Sequence, residues 1–307
     1  MDGHVLAADA ASSFDRDMLA PDGAPASAPS GHAIRDVLLH LDGGAQDEAN
    51  VTQAEMVAMA FGAHVRGVIT HETPTDLLAA GPGGEGLAAE YWVLDGETAE
   101  AAEKAASSRL SLIEPSTDLI RADGMPHELC NVVAALARSV DLVVVGRPYG
   151  RGSHHADLLE TVLFTAGSPA LVVPPEATKA KDIDVVVIGW SDTAECAHAI
   201  AASLPFLKRA KRVYLVSVSE KSSEEEERRE PAADMARHLA RHGVHVDIRH
   251  LPQWYHPSAG LLNEAAIVGA NLLVVGAYGR SRLREFILGG VTRELLTKST
   301  IPMLMAH

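Results

Sequence analysis

Three glycines near the carboxyl end of the chain are spaced as in loops that bind phosphate groups. Gly276, Gly279 and Gly289 follow the apolar run NLLVVG at 271–276. Glycine lets the backbone pass close to a ligand, and a helix that begins after such a loop directs free N–H groups at an anion. We predict that this helix starts with four residues at the phosphates: Gly289, Gly290, Val291 and Thr292.

Three arginines in the same loop supply positive charge. The whole chain has 26 Lys and Arg against 41 Asp and Glu, which gives a formal net charge of −15. Arg280, Arg282 and Arg284 are a local exception, and such cations favour a phosphate-bearing ligand. The overall acidity repels polyanions, so we expect no nucleic-acid partner. The alternative is a loop that only connects a strand and a helix in close packing.

The elements that would position this loop occur twice. Three pairs of similar runs appear in the same order: Ile34–Leu41 and Ile183–Trp190, Asp141–Gly146 and Asn271–Gly276, Ser168–Val173 and Ile301–Met305. An internal duplication explains them, because repeated runs in one order indicate repeated structural units. We expect the extra residues of the first copy to be an insertion at His71–Glu97.

Each copy alternates apolar runs with helical patterns, as parallel sheets covered by helices do. The predicted strands of the second copy are Val185–Gly189, Val213–Val218, Val244–Ile248, Leu272–Val275 and Met303–Met305. The predicted helices are Ala194–Leu207, Glu224–His242, Ser258–Gly269 and Val291–Ser299. The sequence therefore predicts an α/β fold with two tandem, doubly wound, five-stranded parallel-sheet domains at 33–175 and 182–307. Residues 1–32, rich in Ala, Pro, Ser and Gly, are predicted to be a disordered tail.

This combination resembles the universal stress protein family. The spacing G-x2-G-x9-G after an apolar fourth strand is similar to the nucleotide loop of that family, and the resemblance extends over two tandem Rossmann-like copies, residues 33–307. It implies a stress-response protein that binds ATP or a related adenine nucleotide as a sensor or regulator. It also implies that the copies pair within the chain through their last strands, Ala170–Val173 and Pro302–Met305, with a further homodimer left open.

The resemblance assigns roles to residues of the second copy. The family's acid after the first strand meets the ribose; here Asp192 stands one position late, with Ser191 in the acidic slot. Val218 matches the position that contacts adenine. Gly290 stands where a Ser or Thr is common, so the backbone N–H groups and Thr292 remain for the phosphates. No metal is expected beyond Mg²⁺ that accompanies the nucleotide.

The first copy departs from this pattern. Its loop, GRPYGRG at 146–152, has one residue more between its first two glycines, and Asp157 aligns with Gly290. An acid at a helix N-terminus stabilises the helix but repels a phosphate. Asp42 keeps the acidic slot after the first strand. We therefore predict a structural or regulatory first domain.

Other constellations favour simpler interpretations. His238 and His242 have the spacing of a two-histidine metal site, but no acid or cysteine accompanies them, and cations suit the last turn of a helix. His127 and Cys130 are interpreted as a surface histidine beside a buried thiol. The motifs G-x-S-x-G, G-K-[ST] and H-E-x-x-H do not occur. Slow ATP hydrolysis, with Asp192 or Glu285 as the nearest bases, and a nucleotide-free interaction module remain the alternatives.

The compartment follows from cysteine content and charge. Two cysteines in 307 residues exclude a disulfide framework and favour a reducing compartment. Stretches without a charge fall short of the roughly 20 residues that span a bilayer. The N-terminus has an acid at position 2 and no basic region before an apolar run, so it does not read as a secretory signal. We expect a cytoplasmic protein without membrane contact.

Overall fold

The computed structural model describes the chain from residue 33 onward with several gaps. The described ranges are 33–73, 85–114, 116–149, 156–179, 182–219, 232–252, 256–277 and 290–307, with the helix backbone alone at 85–92. The predicted N-terminal tail lies outside the described residues.

The described residues form ten strands and eight α-helices, which alternate along the chain. The first half contains β1 (Asp36–Leu41), α1 (Asp47–Phe61), β2 (His64–Glu72), α2 (Glu85–Leu110), β3 (Thr117–Gly124), α3 (Pro126–Ala137), β4 (Leu142–Gly146), α4 (Ala156–Thr161) and β5 (Ala170–Val173). The second half contains β6 (Val185–Trp190), α5 (Ala194–Arg209), β7 (Arg212–Val218), α6 (Ala233–Arg241), β8 (Asp247–Leu251), α7 (Pro257–Val268), β9 (Leu272–Gly276), α8 (Gly290–Lys298) and β10 (Met303–Ala306). Helix α4 continues as a π-helical turn at Val162–Ala166.

All ten strands belong to one sheet in the order β3-β2-β1-β4-β5-β10-β9-β6-β7-β8. Neighbouring strands are parallel within each half, and the halves meet where β5 and β10 pair antiparallel, with Leu304 opposite Leu171. The expected α/β class and Rossmann-like order are confirmed, as is the pairing through the last strands. The boundaries 33–175 and 182–307 stay a prediction.

Continuous apolar runs place one core on each face of this sheet. Successive residues of a strand point to opposite faces, so Leu39, Leu171 and Leu304 join one buried cluster. Their neighbours Leu38, Val172 and Met303 join the other cluster. Both clusters cross the β5–β10 junction, which means that the two halves share their cores as well as their sheet.

One expectation from the sequence is wrong in position. The strand expected at Val244–Ile248 lies at Asp247–Leu251. Val244 is 2% exposed and donates its N–H to the carbonyl oxygen of Leu239 at 3.0 Å, so its burial belongs to the end of α6 rather than to a strand. The insertion expected at His71–Glu97 stays a prediction: the segment includes the end of β2 and the start of the 26-residue helix α2, and its residues 74–84 lie outside the described residues.

The remaining boundaries agree more closely. Gly62 and Gly243 adopt φ angles of +65° and +80°, the left-handed conformation expected where a helix ends. The helix expected at Glu224–His242 is described from Ala233 to Arg241; its predicted first part lies outside the described residues. Among the helices that the structure describes, none is both long and apolar enough to cross a membrane.

Candidate functional site

A cavity of about 450 Å³ lies at the carboxyl ends of β6, β7 and β9. Strand β6 lies between β7 and β9, so the strand order reverses here, and parallel sheets bind ligands at such points. Six residues that the sequence analysis selected line the cavity: Ser191, Val218, Gly276, Gly290, Val291 and Thr292. The fold thus brings the ends of three strands to the start of α8.

The cavity also has an apolar lining that spacing did not identify. Seven further residues contribute: Gly189, Trp190, Val216, Pro257, Leu261, Val275 and Leu295. The sequence could have identified part of this set. Pro257 begins α7 after β8, the third strand of the second half, and the loops that follow parallel strands meet at the same edge of the sheet. With Val218 half-buried at the end of β7, this side of the cavity suits a flat, apolar group.

The opposite side of the cavity is the N-terminus of α8. The first N–H groups of an α-helix lack partners within the helix and carry partial positive charge. Gly290 is exposed, and a Cβ atom placed there would have no neighbour within 4 Å among the residues that the structure describes. The described residues therefore leave these N–H groups accessible to an anion.

Gly276 has a packing role as well as a place in the lining. A Cβ atom at this position would lie 2.6 Å from the backbone nitrogen of Cys196 and 2.8 Å from the carbonyl carbon of Glu195. The start of α5 therefore packs directly on the end of β9, and this packing requires a glycine there. Burial raises the pKa of the neighbouring Cys196 thiol, which donates to the carbonyl oxygen of Gly189 at 3.2 Å.

Other sequence-selected residues are not brought into the described site. Asp192 is exposed in the turn after β6 and is not among the residues that line the cavity. The next residue, Thr193, caps α5 by accepting a hydrogen bond from the backbone N–H of Cys196. Four selected residues, together with Arg284 and Glu285, lie outside the described residues: Gly279, Arg280, Arg282 and Gly289.

The equivalent place in the first half is nearly filled. His40 pairs with Val68 in the β1–β2 ladder as Gly189 pairs with Val216 in the β6–β7 ladder, so His40 occupies the position of Gly189. Its Nε2 atom hydrogen-bonds with Thr70 Oγ1 at 2.8 Å in a buried contact. The cavity there measures about 30 Å³.

Two acidic side chains, Glu72 and Asp157, line the small first-half cavity and disfavour a phosphate there. Separately, after β1, the carboxylate of Asp47 accepts hydrogen bonds from the N–H groups of Asp42 and Gly43 at 3.2 and 2.8 Å. Burial and the nearby Asp42 charge raise the pKa of Asp47 to about 7.

Neither histidine constellation forms a metal site in the described part of the chain. The rings of His238 and His242 stack edge to face with centroids 4.7 Å apart. No group of three or more metal-ligating side chains occurs among the described residues. Cys130 is half-buried, and burial raises the pKa of its thiol, so it is a poor thiolate donor.

Comparisons with known proteins agree with this architecture. Residues 207–307 match the family model described as "Universal stress protein family". A universal stress protein from Archaeoglobus fulgidus DSM 4304 has a similar structure, with a TM-score of 0.66 at 13% identity, covering 88% of this chain and 97% of that one. A candidate universal stress protein from Pseudomonas aeruginosa UCBPP-PA14 reaches a TM-score of 0.55 at 13% identity over 89% and 93%. No curated protein matches the sequence. The resemblance to this family is confirmed for residues 207–307, and the solved structures show the same fold over most of the chain.

Proposed function

We propose that this chain, whose residues 207–307 carry a universal stress protein domain, binds ATP or a related adenine nucleotide in the cavity of its second half. One observation carries the proposal. The 450 Å³ cavity is lined both by apolar residues at the strand ends and by the first residues of α8. A nucleotide has the matching division into a flat base and an anionic tail.

The base would lie against the strand ends. Val218 at the end of β7 and Leu261 from α7 line this side, and both side chains pack on the same face of the sheet. Burial of an apolar ring surface is worth about 25 cal/mol per Å², and pockets lined in this way hold most small ligands. The backbone at the end of β7 supplies polar groups that can select the base edge.

The phosphates would lie at the start of α8. Gly290, Val291 and Thr292 line the cavity there, and the backbone N–H groups of a first helical turn bind anions through their dipoles. The sequence adds Arg280 and Arg282 in the preceding loop. Any Mg²⁺ would arrive with the nucleotide, since no carboxylate lines the described part of the cavity.

The proposed role is sensing or regulation in a stress response rather than turnover. Among the described residues that line the cavity, none is an Asp, Glu, His, Lys or Cys that could act as a general base. We propose that the first half contributes architecture, because His40 and Asp157 occupy its equivalent site. The two cysteines, both free, agree with the expected cytoplasmic location, and a further homodimer is compatible with the fold.

Calorimetry with a matched pair of variants tests the proposal. Val291 lines the cavity and is 40% exposed, whereas Val132 on α3 is 39% exposed and distant in the fold. V291W should block the cavity and weaken ATP binding at least ten-fold, while V132W should bind like the wild type. Adenosine and tripolyphosphate should each bind more weakly than ATP.

Two results would count against the nucleotide proposal. A wild-type protein that releases no heat with millimolar ATP would refute it and favour the interaction-module hypothesis. Equal losses of affinity in V291W and V132W would mean that the nucleotide binds outside the cavity.

A further inference from the structure

Arg147, which belongs to the first half, contacts the far end of α8, the helix that begins at the second-half cavity. It follows β4, and its Nη1 atom donates to the carbonyl oxygens of Thr297 and Ser299 at 3.3 and 3.2 Å. Its side chain is 13% exposed, and Glu176 Oε1 lies 3.7 Å from Nη2. The last carbonyl groups of a helix lack partners within the helix, so this guanidinium completes the C-terminus of α8.

The backbone of Arg147 is fixed on two sides. Its N–H donates to the carbonyl oxygen of Val173 at 2.8 Å and to Gln46 Oε1 at 3.1 Å. Gln46 Nε2 in turn donates to the carbonyl oxygen of Arg147 at 3.3 Å. The side chain of Arg147 therefore extends from a backbone that hydrogen bonds hold in place, so its guanidinium can fix the position of α8.

A second contact from the same loop supports this arrangement. The guanidinium of Arg293 on α8 lies 5.6 Å from the ring centroid of Tyr149, within the range of cation–π attraction. Two residues of the first-half loop therefore hold α8, one at its C-terminus and one along its side.

Among the described residues, the position of the second half that is equivalent to Arg147 makes no such contact. Ala277 donates its N–H to the carbonyl oxygen of Ala306 at 2.8 Å, as Arg147 does to Val173, so the two residues occupy equivalent positions. Alanine has no side chain that could reach α4. The contacts of Arg147 and Tyr149 are therefore made with α8, the helix beside the larger cavity.

We propose that Arg147 is a positioning residue for the phosphate end of the nucleotide site, and that the altered loop of the first half serves the site of the second. This inference rests on the proposed function. Helix α8 has nine residues and is roughly 13 Å long. Because so short a helix moves as one rigid unit, a shift of its C-terminus displaces the N–H groups at Gly290 by almost the same distance. A positive charge at the C-terminus also stabilises the orientation of the helix.

The test compares ATP with adenosine in three variants. R147A should bind ATP roughly ten-fold more weakly and adenosine like the wild type, because only the phosphates use the start of α8. R147K should recover part of the ATP affinity. The control is R109A, since Arg109 is also largely buried and pairs with Glu55 at 2.8 Å without contact to α8; it should leave both affinities unchanged.

Amide hydrogen exchange of the ligand-free proteins separates this inference from the function on which it rests. Exchange at 290–298 should accelerate in R147A and not in R109A. Equal exchange in the two variants, or equal losses of ATP and adenosine affinity in R147A, would overturn the inference. A wild type that binds neither ligand would refute the nucleotide function and the positioning role with it.

Discussion

Replacement of Gly290 by aspartate should have opposite effects on the stability of α8 and on the binding of a phosphate at its N-terminus. The first half already carries an acid, Asp157, in the first turn of α4, at the position that aligns with Gly290. At Gly290 an added Cβ has no neighbour within 4 Å among the described residues, so G290D introduces a charge without a steric conflict with them. The carboxylate favours the helix dipole and repels a phosphate in the cavity.

The two electrostatic effects have opposite signs and can be measured separately. An acid in the first turn stabilises a helix by about 0.3–1 kcal/mol. Two unit charges about 6 Å apart repel by about 0.7 kcal/mol in bulk water and about 2.8 kcal/mol at an effective dielectric constant of 20. Each phosphate charge at that distance therefore weakens binding by roughly 3-fold to 100-fold.

Calorimetry at low salt, with thermal unfolding of the same samples, provides the assay. G290D should unfold at the same temperature as the wild type or higher, bind ATP more weakly and bind adenosine equally. The matched control is G290A, which has the same open Cβ position and no charge, and it should bind ATP like the wild type. The gap between G290D and G290A should narrow at 1 M salt, because screening weakens the repulsion.

Two outcomes would refute this reasoning. ATP affinity unchanged in G290D would mean that no phosphate lies at the start of α8. A loss of adenosine affinity as large as that of ATP would mean that the substitution disturbs the cavity rather than its charge.

The remaining predictions concern stability. Arg249, whose side chain is 39% exposed, pairs with Glu264, which is 5% exposed, and lies over the ring of Tyr214 at 4.5 Å. R249M leaves that carboxylate buried without its partner and should lower the free energy of unfolding in urea by about 1–3 kcal/mol. The double variant R249M/E264M should recover most of the loss, and a single-variant loss below about 1 kcal/mol would contradict the prediction. The pKa of Asp47 is raised from 3.8 to about 7, so the folded state holds a proton that the unfolded state releases, and stability present at low pH is lost as pH rises. The free energy of unfolding of the wild type, relative to D47N, should fall between about pH 4 and 7, and a flat difference would contradict this origin of the shift.

The sequence predicted the elements whose burial leaves a clear pattern. Buried parallel strands such as β4 and β9 are continuous apolar runs bounded by glycine, and their repetition indicated two copies. The strand at Asp247–Leu251 was misplaced because Val244 and Val246 continue the apolar alternation ahead of it. Burial at the end of a helix and burial in a strand leave the same signal over so few residues.

For the candidate site, the sequence predicted the backbone elements that line the cavity but not the side-chain contacts between distant residues. The glycine spacing located Gly276 and the start of α8, because such spacing reflects backbone geometry. The contact of Arg147 with Ser299 spans 152 positions, and no local pattern reports an interaction over that distance. The exclusion of Asp192 from the cavity depends on how the turn after β6 folds, which the type of residue alone does not determine.

Backbone-amide chemical-shift mapping during an ATP titration tests the central claim most directly. We expect saturable shifts at Val218, Gly276 and the three residues from Gly290 to Thr292, which line the 450 Å³ cavity. We expect no comparable shifts at His40 and Thr70 in the first half. Shifts concentrated in the first half, or none anywhere at millimolar ATP, would contradict nucleotide binding in the second half.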